Sequence, residues 1–171
     1  MFSIGDLVIY GGEGVCRVEH IGAPSFSQYD SAQAYYSLQP LYRTGTVMTP
    51  VETRVLMRPI MTADDADAFI AQLSAVPAAD IPSGNPRLAK DCYHQCVMSY
   101  DCGQIASLIK ALVIKRAYAL ANRKKISQLD ERYLKRAREH LYGELAAALD
   151  MERDDMEDYI KKRVPSWMEE E

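Results

Sequence analysis

Glycines packed around a glutamate, cysteines set about a histidine, and a long run of cations are the groupings in this sequence that could do chemistry. In DLVIYGGEGVCRVEHI, Gly11, Gly12 and Gly14 surround Glu13. A phosphate-binding loop uses glycines so that backbone amides face an anion, but it ends in Lys-Ser/Thr and opens onto a helix. Here Gly14 leads into Val15-Cys16-Arg17-Val18, a strand pattern without that lysine. The dinucleotide fingerprint fails as well, because it needs its own glycine spacing and a following helix. A hairpin turn, in which glycine supplies positive φ, accounts for the knot.

Cys92, His94, Cys96 and Cys102 form the second grouping. Cys92 and Cys96 share a helix face, but the second close pair that a zinc site takes from two turns is missing. Small buried hydrophobes are the favoured reading for these cysteines and for Cys16, with no metal and no cofactor. A small-molecule or redox sensor using Cys92, Cys96 and Cys102 is a third functional class. His20, His94 and His140 lie far apart and belong to no nucleophile motif. The carboxylate clusters and GELAAAL read as helix faces, so the chain is not expected to be an enzyme.

The third grouping is Arg87, Lys90, Lys110, Lys115, Arg116, Arg123, Lys124, Lys125, Arg132, Lys135, Arg136 and Arg138, opposed only by Asp91, Asp101, Asp130 and Glu131. The formal net charge is −4, with the acids gathered in Asp64, Asp65 and Asp67, in DMERDDMED and in the final EEE. A basic block inside an acidic chain can be a solvated surface or a nucleic-acid contact; the distribution carries more information than the sum.

The elements that must position these groups fall into two sets. Short β-rich runs fill residues 7–57: Leu7-Val8-Ile9-Tyr10, Val15–Val18, AYYSLQPLY, GTVMTPV and RVLMRPI, with GAPSFSQYDSAQ as a longer loop. Pro40 should end its strand or place it on an edge. Five short strands joined by tight turns suggest a small, strongly bent sheet or barrel. Thr62 caps a first helix with Phe69, Ile70 and Leu73 as its stripe, and VPAADIPSGNP then reads as a linker. Beyond it RLAKDCYHQCVMSY is helical, Asp101 caps a helix with Ile105, Leu108, Ile109, Leu112 and Val113 inward, and Ser127 caps another with Leu134, Ala137, Leu141 and Leu145. The capping-box position after Ser127 holds Asp130. A shorter acidic helix precedes PSWMEEE. The class is α+β, a β domain over 1–60, a helix and linker over 61–87, and an all-α domain with an acidic tail over 88–171. No apolar run approaches a membrane span. The start lacks a secretion signal, so reduced thiols in the cytoplasm are expected.

FSIGDLVIYGGEGVCRVEHI, followed by YYSLQPLY, TVMTPVE and VLMRPI, resembles the amino-terminal module of the CarD-like transcription regulators, which the transcription-repair coupling factor shares. MSYDCGQIASLIKAL and LDERYLKRAREHLYGELAAAL agree with the family's helical half, so the likeness spans roughly residues 2 to 149. The chain carries no helicase motor, which sets it apart from the coupling factor. The resemblance implies a Tudor-like module that docks on the β subunit of RNA polymerase by strand addition. GTVMTP matches the docking strand, which makes Arg43, Thr46, Val47 and Met48 the candidate polymerase contacts. Many relatives have a basic residue where Met48 stands, so an apolar contact is expected here. Val47 and Met48 also read as ordinary core residues, since a period-two strand buries one face.

The family's helical domain lies against promoter DNA at the upstream edge of the melted region and favours the open complex. That function needs cations set against phosphates, and Arg87, Lys90, Lys115, Arg116, Arg123, Lys124 and Lys125 are the candidates. Relatives commonly place a tryptophan wedge just before this domain; here Asn85 or Pro86 stands there, and Trp167 reads as a packing residue. The leading reading is a monomeric, non-enzymatic factor that touches polymerase and promoter together, binding DNA weakly and with little sequence preference. The alternative is a polymerase-binding adaptor without productive DNA contact that recruits another protein through its helices.

Overall fold

Tyr10 ends the first strand and Gly14 begins the second, so the glycine knot is a hairpin turn. β1 (Leu7–Tyr10) and β2 (Gly14–Gly22) pair antiparallel with Tyr10 opposite Gly14. Gly12 and Gly14 have φ of 90° and 81°, a region that strains any residue with a β-carbon. The Glu13 N–H closes the turn on the Tyr10 carbonyl at 3.0 Å. The computed structural model describes residues 1–24 and 32–167. Most of the polar loop GAPSFSQYDSAQ and the final EEE lie outside the described residues.

β3 (Tyr35–Pro40), β4 (Val47–Pro50) and β5 (Met57–Pro59) complete an antiparallel sheet in the order β4-β3-β2-β1-β5. Alternate residues Val8, Tyr10, Cys16, Val18, Tyr36 and Leu38 form its buried cluster, which is the two-residue period of strands packed on one face. Pairing between β2 and β3 shifts between Val18 and His20, leaving Glu19 as an extra residue; such a bulge bends the strand. The Tyr10 hydroxyl reaches the Thr49 hydroxyl at 3.1 Å, from β1 to β4, three places along the sheet. That contact is open only to a strongly bent sheet.

The chain divides after Ile60 into two compact units. The second contains α1 (Ala63–Ala71), α2 (Pro86–Met98), α3 (Cys102–Ala121), α4 (Gln128–Leu149) and α5 (Met156–Arg163). Thr62, Asn85, Asp101 and Ser127 cap the first four through side-chain oxygens, each supplying an acceptor to amides the helix leaves unpaired. Ile105, Leu108, Ile109 and Leu112 on α3 meet Leu134, Ala137, Leu141 and Leu145 on α4, with Ile70, Leu73, Met156, Ile160 and Trp167 closing the core. Each fully buried leucine contributes on the order of 2 kcal/mol. VPAADIPSGNP lies inside this second unit, laid along α3: the Ala79 N–H donates to the Ser107 carbonyl at 2.9 Å, and Lys110 Nζ donates to the Ser74 and Val76 carbonyls at 3.0 and 2.7 Å. No helix among the described residues is long and apolar enough to cross a membrane.

Candidate functional site

In an antiparallel pair, residues that exchange both main-chain bonds alternate with residues that exchange none. The Val51 N–H donates to the Ala34 carbonyl at 3.0 Å, which sets the phase of β4 against β3. Val47 and Thr49 bond to β3, and the main-chain groups of Met48 point to the outer edge of the sheet, beyond which no further strand lies among the described residues. Pro50 also falls at an outward position, where its missing N–H costs no ladder bond. The side chains of Val47 and Met48 part company. Val47 packs against the strand core, on the face that carries the buried Thr49. Met48, half-buried, lies on the other face. Thr46 is exposed just ahead of the strand. Arg43 is exposed in the preceding turn and pairs with Glu13 at 3.1 Å.

The candidate cations of the helical unit sit in three places. Arg87 and Lys90 are exposed on the first turns of α2, where the helix dipole favours anions over cations. Lys115 and Arg116 lie on the second half of α3, past its buried stripe. Arg123, Lys124 and Lys125 are exposed in the turn from α3 to α4. The Lys124 N–H bonds to the Ala119 carbonyl at 2.8 Å and the Arg123 N–H to the Leu120 carbonyl at 3.0 Å. This is the Schellman pattern, and it places Arg123 at φ 55°, where glycine is usual.

Lys115 stands in a network. Its ammonium is 2.9 Å from Asp130 Oδ2 and donates to the Tyr93 hydroxyl at 3.2 Å, while that hydroxyl donates to Asp130 Oδ1 at 2.7 Å. Asp130 is 3% exposed. Its carboxylate is therefore engaged by α2 and α3 at the capping-box position of α4. Burial works against the Lys115 charge, but Asp130 and Tyr93 outweigh it and hold the ammonium above its usual pKa. Burial and then the Asp130 hydrogen bond push the Tyr93 hydroxyl up to about 12.

A groove of about 590 Å³ brings several expected residues together. Asn85 and Pro86 at the start of α2 line it with Lys115, Lys125 and Asp130, over an apolar floor of Pro82, Ala89, Ala119, Ile126 and Leu129. Arg116, Arg123 and Lys124 are outside its lining.

Two features carry weight that the sequence reading did not assign. Glu144, the one acid in GELAAAL, is 2% exposed and accepts the Met61 N–H and the Cys102 thiol, each at 3.1 Å. An acid inside an otherwise apolar helical run was the available signal. Tyr118 is 71% exposed on α3, out of phase with the buried stripe, which a helical projection reveals. Cys16 and Cys102 are buried and Cys92 and Cys96 half-buried; among the described residues no His, Cys, Asp or Glu cluster could hold a metal ion. His140 lies edge-on to Tyr100 at 5.3 Å between ring centres.

Residues 2–61 match the family model described as CarD-like/TRCF RID domain. Residues 95–161 match the model described as CarD, C-terminal domain. No curated protein matches the chain significantly.

Proposed function

The chain belongs to the CarD-like family of RNA polymerase-interacting, non-enzymatic transcription regulators, and from that premise we propose that it docks on the polymerase β subunit through β4 and touches promoter DNA with its helical unit. The observation that carries the reading is the open edge of β4, with the Met48 main chain turned outward. An extended strand on the partner can add to such an edge, its main-chain bonds giving affinity and the outward side chains giving choice. Thr46 and Met48 meet the incoming strand, Val47 holds β4 to its own core, and Arg43 flanks the contact.

DNA is held by Arg87, Lys90, Arg116, Arg123, Lys124 and Lys125 through phosphates, which makes binding salt-sensitive and largely blind to sequence. Lys115 contributes its residual field beside Asp130. Polymerase and promoter contacts within one chain reinforce each other through effective concentration, so each can be weak alone. A monomer acting in the cytoplasm on the open complex fits this division of labour. The net charge of −4 and the engagement of Lys115 favour a second reading, an adaptor that docks on polymerase but recruits another protein through its helices.

The test is binding to the isolated polymerase β lobe, wild type against Met48→Glu, followed by open-complex lifetime with Arg123, Lys124 and Lys125 reversed to glutamate. Loss of lobe binding with Met48→Glu and a shortened lifetime with the triple variant support the leading reading. An unchanged lifetime with the triple variant turns the case to the adaptor, and a wild type that ignores the lobe overturns both.

A further inference from the structure

Between Cys102 and Leu129 the chain carries Lys110, Lys115, Arg116, Arg123, Lys124 and Lys125 and no acid at all, within a protein of net charge −4. In the same stretch Ile114, Tyr118 and Leu120 are 49%, 71% and 60% exposed, three of the five large apolar side chains that the helical unit leaves in solvent among its described residues. Exposed apolar side chains that adjoin on one helix face mark a contact more often than scattered ones do. At 3.6 residues per turn, Ile114, Tyr118 and Ala121 fall on one face of α3, while Leu120 falls away from it. Tyr118 therefore stands in the middle of an uncovered strip that ends at the Arg123–Lys125 turn.

We propose that Tyr118 is a stacking platform for an unpaired base, with Arg123 and Lys124 holding the phosphates next to it. The proposal rests on the DNA-contacting reading above and adds to it a preference for melted over duplex DNA. The three exposed cations at Arg123–Lys125, in a stretch of chain without an acid, are complementary to a polyanion and disfavour acidic protein segments. A phenol ring that covers none of the protein's own core is free to cover a base, and stacking of this kind tolerates any sequence. Tyr118 lies in the last turn of α3 and Arg123 two residues past its end, about 8 Å on at the helical rise, within reach of one or two nucleotides of backbone. Unpaired bases offer the π-face that the ring needs; a closed duplex hides it.

The experiment is binding of the full chain at low ionic strength to a fluorescein-labelled fork, with one unpaired arm, and to a blunt duplex of the same length. Wild type, Tyr118→Ala, Tyr118→Phe and the Arg123→Glu/Lys124→Glu double variant are compared. Tyr118 is outside the core, so its variants fold. The expected result is about a tenfold loss on the fork for Tyr118→Ala, retention for Tyr118→Phe, little change on the duplex, and a loss on both for the double variant. If Tyr118→Ala weakens neither DNA, or both equally, the platform is overturned and the phosphate contact stands. If the double variant and wild type bind both DNAs alike, the DNA-contacting reading falls and takes the platform with it.

Discussion

The ammonium of Lys115 lies 2.9 Å from a carboxylate oxygen of Asp130, which is almost wholly buried at the foot of α4. Tyr93 closes the triangle from α2. One side chain thus ties three helices together, and Lys115 serves the fold before it serves any ligand. Asp130→Ala leaves the Tyr93 hydroxyl without its acceptor and the Lys115 ammonium without its counter-charge, and is expected to cost about 3 kcal/mol. The readout is the urea midpoint; an unchanged midpoint would mean that the triangle bears no load.

Alkali tests two buried protons, one in each unit. Burial, and then Glu13, raises the Cys16 thiol from 9.0 to about 12, with Arg43 pulling the other way. Burial and then Asp130 raise Tyr93 from 10.0 to about 12. Between the unfolded and folded values the native state keeps protons that the unfolded chain releases, so stability falls with rising pH. The contribution is full below pH 9 for Cys16 and below pH 10 for Tyr93, and is lost as pH approaches 12. Urea midpoints across that range should fall, beginning earlier in wild type than in Cys16→Ala. A flat profile contradicts both assignments.

What the sequence made legible follows from local rules. Thr62, Asp101 and Ser127 are caps because their oxygens meet amides three residues on, and the α3 and α4 stripes keep their helical period. The hairpin at Gly12 and Gly14 needed only their backbone freedom. Long-range pairings left less trace. Nothing in the order of residues says that Asp130 turns from Ser127 to Tyr93, 37 positions away, or that Glu144 would receive the Met61 amide from 83 positions away. VPAADIPSGNP shows why composition misleads: its prolines and glycine stop a helix, but its backbone is bonded to α3. The phase of β4, which separates Val47 from Met48, required the register with β3.

Arg123 occupies a backbone conformation that suits glycine, at φ 55°. Arg123→Gly relieves that strain and is expected to stabilise the chain by about 1 kcal/mol. The same change deletes a cation from the turn after α3, so DNA affinity should fall and its salt dependence flatten by about one charge. Stability and affinity moving in opposite directions would show that the arginine is kept for its contact. A stabilised variant with wild-type DNA affinity would remove Arg123 from the interface.

Met48 offers a test of whether docking uses the main chain or the side chain. Its N–H points to the open edge and makes no bond to β3, as the register with Ser37 and the Val51 bond to Ala34 require. Met48→Pro deletes that outward donor, and Pro50 already stands at the equivalent outward position of the same strand. Met48→Ala removes the apolar contact but keeps the donor. Val47→Ala, on the core face, should cost about 1 kcal/mol of stability with little direct effect on docking. If strand addition holds the partner, Met48→Pro should lose binding to the polymerase β lobe while Met48→Ala only weakens it, both with thermal midpoints near wild type. Equal binding by the two variants would mean that the incoming chain reads the thioether rather than the edge, and that β4 presents a side chain instead of a backbone.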